Sequence, residues 1–384
     1  MKILVTSLPD LKKINVQRPH HLLKHLSQSH DVTVVCVNAW WLEESTDEIM
    51  RESLENLAFH YMDMGRKNTI SQEILIKKSL KKLNIDPDSF DVLLNFNSLI
   101  AGYKVARSSR TPMVFDICDD LVDWINVSSK VPGPLKPAGK KICSVMLQKN
   151  IKISRKITFS LKSLEESFNA PSEKSVIVPN GVDTETFKNM KNPGHGKKFI
   201  IGFVGFLGNW VDIETPFKAL KELEDVEMIV VGGGDNLNHF KNMAEKLGVA
   251  EHVKFTGDVH YSQVPVYISQ MDVCLLSFDS SVVSHSALPL KLFEYMACER
   301  PVVSSSLESV KEAVGDRVLY ADTVEDMKNS IETLCNNEDL RIKLGNRGRT
   351  FVKENYSWNS ICSKFEEVLK GVSDKDQVNL GKSQ

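Results

Sequence analysis

Short apolar runs rich in β-branched residues recur along the chain and alternate with segments whose apolar positions follow a helical period. In the first half the runs are KILVTS from Lys2, DVTVVCV from Asp31, DVLLNF from Asp91, PMVFDI from Pro112 and KITFS from Lys156, with helix-period segments such as 19–28 and 98–108 between them. The pattern then begins again. KFIIGFVG starts at Lys198, VEMIVVGGG at Val226, HVKFTGDV at His252, MDVCLLSF at Met271 and RPVVSSS at Arg300. Helices are predicted at 215–223, 237–247, 289–298, 307–313 and 324–336. Strands that alternate with helices build right-handed β-α-β units around a parallel sheet. The expectation is therefore an α/β chain of two doubly wound domains in series.

The polar stretch NMKNPGHGKK at 189–198, with one proline and two glycines, is expected to link the domains. A last helical stretch covers 360–369, and the polar tail behind it is expected to be disordered. The predicted organisation is one domain over 1–170, a second over 171–358, and a C-terminal helix in 359–384 that packs back towards the first domain.

Composition sharpens this picture only in places. A length of 384 residues exceeds one ordinary core, and 42% hydrophobic with 26% charged residues is typical of a folded chain. The net charge of -2 supplies no overall field for nucleic acid, and no nucleic-acid partner is expected. Seven scattered cysteines without a C-x-x-C pair argue against a disulfide framework or a zinc site, and most read as small core residues. The N-terminal apolar run is too short for a signal peptide and no run reaches membrane-span length, so a cytoplasmic protein is expected.

One stretch departs from neutrality. Residues 130–156 contain eight basic and no acidic side chains. They form either a solvated helix face or a basic amphipathic helix on anionic lipid, which would bring the protein to the inner face of a membrane.

Ligands of open parallel sheets bind beyond the carboxyl ends of the strands, so two such sheets direct attention to a cleft between domains. The helix opened by LPLKLFEYMA follows a strand and a loop, so its amino end should face that cleft. Pro289 suits a first helical turn. The free N–H groups at such an end favour phosphate. Lys291 would add a full charge there, and Glu294, three residues on, could accept from vicinal hydroxyls. The alternative is an ordinary i,i+3 surface pair, against which the apolar Leu290, Leu292, Phe293, Tyr295 and Met296 speak.

Elsewhere, Gly205 and Gly208 let backbone approach a ligand closely, and Trp210 either packs or contacts a base or sugar. VGGGDN lacks the third glycine of a dinucleotide fingerprint and reads as a tight turn. Asp116, Asp119 and Asp120 follow a buried strand; they could bind acceptor hydroxyls or stabilise an oxocarbenium-like sugar, or one of them could cap a helix. Asp119 is the first choice for chemistry, with Asp120 beside it, and no metal site is expected. Arg18 and His20 contact phosphate or acceptor, or are solvated. Asp86 and Asp88 read as turn residues.

The segment PLKLFEYMACERPVV resembles the signature of GT-B glycosyltransferases of the retaining, group-one type. VIVPNGVDTETF, IGFVGFLGNW, VGGGD, FTGDV and VPVYISQMDVCLLSF match in order, over most of the second half. In the first half NVQRPHHLLKHLSQSHDVTVV and FDICDDLVDW are similar to a subgroup that builds cell-surface polysaccharides or teichuronic-acid-like polymers.

The resemblance implies two Rossmann-like domains facing across a cleft, the first binding acceptor and the second the nucleotide sugar. It implies transfer of a sugar, with retention, from a UDP- or GDP-sugar to a hydroxyl of a glycan or lipid-linked acceptor, without a cofactor. Carried over, Glu294 holds the donor ribose, and the backbone around Leu290 and Lys291 the diphosphate. The family's E-x7-E pair has Ser286 at its first position here, and Glu299 or Arg300 stands where a glycine often ends the helix. Asn209, Trp210 and Asp212 replace the usual Arg and Lys, leaving the phosphate charge to Lys291, the helix end and Arg18. The rival readings are a sugar-nucleotide epimerase on the same architecture and a nucleotide-sugar-binding protein without catalysis.

Overall fold

A computed structural model describes residues 1–14, 16–45, 48–127, 131–190, 198–279 and 288–373. The chain divides into two compact units, Met1–Pro179 with Asn359–Gln384, and Asn180–Trp358. Each is built on one parallel sheet.

The first sheet has seven strands: β1 (Lys2–Ser7), β2 (Asp31–Cys36), β3 (Ala58–Tyr61), β4 (Val92–Phe96), β5 (Met113–Ile117), β6 (Lys156–Phe159) and β7 (Ser175–Ile177). Their order is β3-β2-β1-β4-β5-β6-β7. The second has six: β8 (Phe199–Val204), β9 (Val226–Val231), β10 (Val253–Gly257), β11 (Val273–Leu276), β12 (Val302–Ser304) and β13 (Leu319–Tyr320), in the order β10-β9-β8-β11-β12-β13. All pairings are parallel, and the order reverses beside β1 and beside β8. Those are the points where such sheets leave a crevice at their carboxyl edge. The central strands β4, β5 and β11 are buried throughout, which is why they read as continuous apolar runs.

Three strands escaped the hydrophobic pattern. β3, β7 and β13 are short and only half-buried, so neither face carries a run of apolar residues. β7 pairs with β6 and carries the first unit to Pro179, beyond the expected boundary at 170. The expected linker is corrected as well. Asn189 and Met190 lie inside the second unit, where Asn189 Nδ2 donates to Glu299 at 3.0 Å and the Met190 N–H to Ser269 at 3.1 Å. Residues 191–197 and the expected disordered tail from 374 fall outside the described residues.

The last helix, Trp358–Ser373, runs within the first unit from Asn359 on; Glu366 takes hydrogen bonds of 2.9 Å with His25 and His30, both from the first unit. The helix Glu338–Asn355 went unnoticed because its apolar residues are scattered among charged ones, with Leu344, Gly345, Gly348 and Val352 its only buried residues. No helix among the described residues is long and apolar enough to cross a membrane.

Candidate active site

The reversal at β8 gathers the site of the second unit. The helix Leu290–Ala297 begins one residue later than expected: Pro289 is its cap in extended conformation (ψ 135°), and its ring closes off the chain before the first turn. Tyr295, fully buried, fastens this helix to the sheet, its hydroxyl accepting the Val204 N–H at 2.8 Å. Asn180 donates to the carbonyl of Leu288 at 3.0 Å and steadies the residues leading into the helix.

At the other end Glu299 takes a left-handed conformation (φ 58°), the geometry for which glycine is preferred. This settles the register: Glu299, not Arg300, stands at the glycine position. Arg349, 3.4 Å from its carboxylate, and Asn189 help to hold it there.

Anchored this way, the helix turns Lys291 and Glu294 inward. Glu294 is 5% exposed and accepts a 2.6 Å hydrogen bond from Tyr261. Lys291 lies with its ammonium 4.2 Å from the centre of the Phe203 ring and 5.6 Å from that of Phe278. Neither side chain is in a contact ion pair with the other, so the surface-pair reading fails. Burial pushes the Lys291 ammonium down to about 7, opposed by the charge of Glu294. Burial pushes the Glu294 carboxyl up to about 7, opposed by the Tyr261 hydrogen bond and by Lys291. Both charges are held against their own desolvation.

The loop after β8 supplies the floor. Gly205 has φ 136°, and the Lys291 ammonium occupies the space that a side chain there would need. Gly232 and Gly234, also at positive φ, let the turn after β9 close on the backbones of Gly205 and Leu207. VGGGDN is thus a tight strand-to-helix turn. Gly208 lies under the ring of Trp210, which stacks with Phe206 at 5.9 Å.

The three residues that stand for the family's cations are engaged locally. Asn209 accepts from Asn236 at 3.0 Å, the Trp210 carbonyl accepts the Asp279 N–H at 3.1 Å, and Asp212 accepts the Thr215 N–H at 3.0 Å in the first turn of the following helix. Leu290 is half-buried at the first helical position. Ser286 falls outside the described residues.

The first-unit candidates come out differently. Arg18 and Asp116 are 2% and 1% exposed and form a two-pronged ion pair, Nε to Oδ2 at 3.0 Å and Nη2 to Oδ1 at 2.9 Å. Thr158 donates to the same carboxylate at 2.6 Å, and Arg18 Nη1 to the carbonyl of Pro179 at 2.7 Å. Neither residue is solvated; each meets the other's charge. His20 is also buried: Nδ1 accepts the Gln17 N–H at 2.9 Å, so its proton sits on Nε2, which meets the Leu11 carbonyl at 2.9 Å.

Asp120 is the helix cap among the three aspartates, accepting from the N–H groups of Val122 and Asp123 at 2.9 and 3.0 Å. The helix-cap alternative is the one these contacts match. Asp119 is exposed, touched by the Cys118 thiol at 3.5 Å. Asp86 caps the turn Pro87–Ser89 through Asp88 N–H, as a turn residue should.

Sequence reasoning missed Tyr261, Phe203, Phe278 and Asn180. Phe203 and Phe278 were read as strand core, and nothing local in the short turn around Tyr261 signals a partner for Glu294.

Comparison with known proteins bears on the fold and on the class of sequence. Residues 185–351 match the family model described as glycosyl transferases group 1. The GDP-mannose-dependent alpha-(1-6)-phosphatidylinositol monomannoside mannosyltransferase of Mycolicibacterium smegmatis is 26% identical over 226 residues, 54% of this chain and 59% of that one. A putative teichuronic acid biosynthesis glycosyltransferase, TuaH of Bacillus subtilis, is 29% identical over 154 residues, 38% of each chain. The chain spans about half the length of the curated relatives it matches.

Among solved structures, sucrose-phosphate synthase from Thermosynechococcus elongatus superposes with a TM-score of 0.79 at 14% identity, over 97% of this chain and 98% of that one. The class these findings define is the GT-B glycosyltransferase fold. The part similar to the group 1 glycosyl transferase model lies within the second unit.

Proposed function

We propose that the protein transfers a sugar from a nucleoside diphosphate sugar, a UDP- or GDP-sugar, to a hydroxyl of a glycan or lipid-linked acceptor, with retention. The observation that carries this reading is the Lys291 ammonium, wedged between Gly205 and two aromatic rings with, among the described residues, no carboxylate within ion-pair distance. A partly desolvated cation at the amino end of a helix, with its nearest carboxylate out of contact, is a receptor for an anion of more than one charge.

Glu294, one turn further on, accepts from the ribose hydroxyls; the Tyr261 hydrogen bond that holds its carboxylate supports this role. A diphosphate over Lys291 would restore that ammonium's full charge, and the same contact would stabilise the charge that builds on the leaving group. Asp119, exposed at the carboxyl edge of the first sheet, is the remaining first-unit candidate for an acceptor hydroxyl or for the positive charge on the sugar. The match to TuaH supports a cell-surface polymer as the product.

Thermal denaturation in the presence of UDP, GDP and their sugars tests the donor site, because a ligand of the folded state raises the melting temperature. At least one diphosphate is expected to do so, and Glu294→Gln is expected to weaken its binding roughly ten- to a hundredfold, the worth of a charged hydrogen bond. No shift with any of them, or full affinity in Glu294→Gln, refutes the assignment. Release of the diphosphate from a sugar nucleotide only when an acceptor is added would separate transfer from epimerisation.

A further inference from the structure

The first unit carries a surface for which donor binding has no use. The helices Ile76–Lys82, Ala101–Ser108 and Lys136–Ile153 pack side by side. They contain four, two and five lysines or arginines and no aspartate or glutamate, in a chain whose net charge is -2. Like charges brought together by packing repel one another and cost stability.

Between the helices lies a groove of about 690 Å³, lined by Lys77, Lys104 and Arg107 together with Tyr103, Ile142 and Met146. Lys104 reaches the carbonyl of Ile74 at 2.6 Å, and the Lys149 ammonium lies 5.8 Å from the Tyr103 ring centre, so both lysines also flank it. Among the described residues Lys77, Lys104, Arg107 and Lys149 form no ion pair with a carboxylate. Aliphatic side chains stand out in the same region: Ile142 is 65% exposed and Ile74 49%.

We propose that this three-helix face docks on an anionic lipid bilayer, with the basic groups at the headgroup phosphates and Ile142 and its neighbours in the boundary with the acyl chains. Basic side chains interleaved with exposed aliphatic ones match both halves of that interface. A nucleic acid, the other large polyanion, is held by aromatic faces and by amides that read bases, and it offers an aliphatic side chain no apolar phase. The face extends well beyond the basic stretch at 130–156, because two helices distant in sequence supply Lys77, Lys104 and Arg107.

Flotation of the full chain with vesicles of phosphatidylcholine, alone or mixed with phosphatidylglycerol, tests the proposal. Binding is expected only to the mixed vesicles and is expected to fall with salt. The triple variant Lys77→Gln, Arg107→Gln, Lys149→Gln changes three exposed side chains and should lower partitioning about a hundredfold. Ile142→Ser leaves the charge unaltered and should lower it about tenfold through lost apolar burial. Both variants should keep the wild-type melting curve and the shift produced by nucleoside diphosphate, which separates this test from that of the donor site.

Failure to float with anionic vesicles, equal binding of wild type and triple variant, an unaffected Ile142→Ser, or displacement from vesicles by an oligonucleotide would each overturn the proposal.

Discussion

Each unit holds a cation and a carboxylate at the carboxyl side of its sheet, and the two sets are built in opposite ways. In the first, Arg18 and Asp116 face each other in a two-pronged contact, with Thr158 and the Pro179 carbonyl taking up remaining hydrogen-bonding capacity. In the second, Lys291 faces aromatic rings and Glu294 faces a tyrosine hydroxyl. The first arrangement compensates desolvation internally; the second leaves it standing, so that both groups are drawn towards their neutral forms. On the proposed reading, the closed pair is structural and the open one receives the ligand.

The largest expected effect of breaking this contrast comes from Arg18→Met. It leaves Asp116 buried and alone, which should cost about 3–5 kcal/mol in denaturant titrations of the first unit. Nucleoside diphosphate affinity of the folded protein should be unchanged; a matching loss of affinity would mean that Arg18 belongs to the donor site after all.

Lys291→Met should do the reverse. Diphosphate affinity by calorimetry should fall roughly tenfold to a hundredfold, while the melting temperature of the free protein stays level or rises, because a desolvated ammonium has been removed. A large drop in melting temperature would show that the lysine supports the fold.

The pH dependence of affinity follows from the same two groups. Glu294, with its carboxyl raised to about 7, loses the charge that grips hydroxyls as pH falls below that value. Lys291, lowered to about 7, loses its proton as pH rises above it, so affinity should fall by up to about tenfold per unit on that side. Binding should therefore peak near neutrality. Lys291→Met should flatten the alkaline limb and Glu294→Gln the acid one. The smallest effect is expected for Asn180→Ala, which frees the Leu288 carbonyl: about 1 kcal/mol of stability and a few-fold loss of affinity.

Much of this was legible before any coordinates. The central strands announce themselves as apolar runs, and Leu237–Leu247 and Val324–Asn336 have the bounds their periodicity predicts. Lys291 and Glu294 stood out because both lie on one helix, where a spacing of three places them on one face. Arg18 and Asp116 looked like site residues for a comparable reason, a charge after a strand. The difference between the two cases lies in their partners.

Asp116 is 98 positions from Arg18, and Tyr261 is 33 from Glu294. Neither distance leaves a trace in a local pattern. Asp120 could have been recognised as a cap from its place before Leu121, yet Asp116 and Asp119 offered the same residue type within a few positions.

The order of apolar and polar residues by itself determined two parallel α/β units, the helix Leu290–Ala297 and the chemical kind of its two charged side chains, because hydrophobic periodicity and helical spacing are local properties. Tertiary structure decided which charges are spent and which are open. Whether a lysine meets a carboxylate or only the faces of two phenyl rings depends on strands brought together from distant parts of the chain, and on the low dielectric that their packing creates.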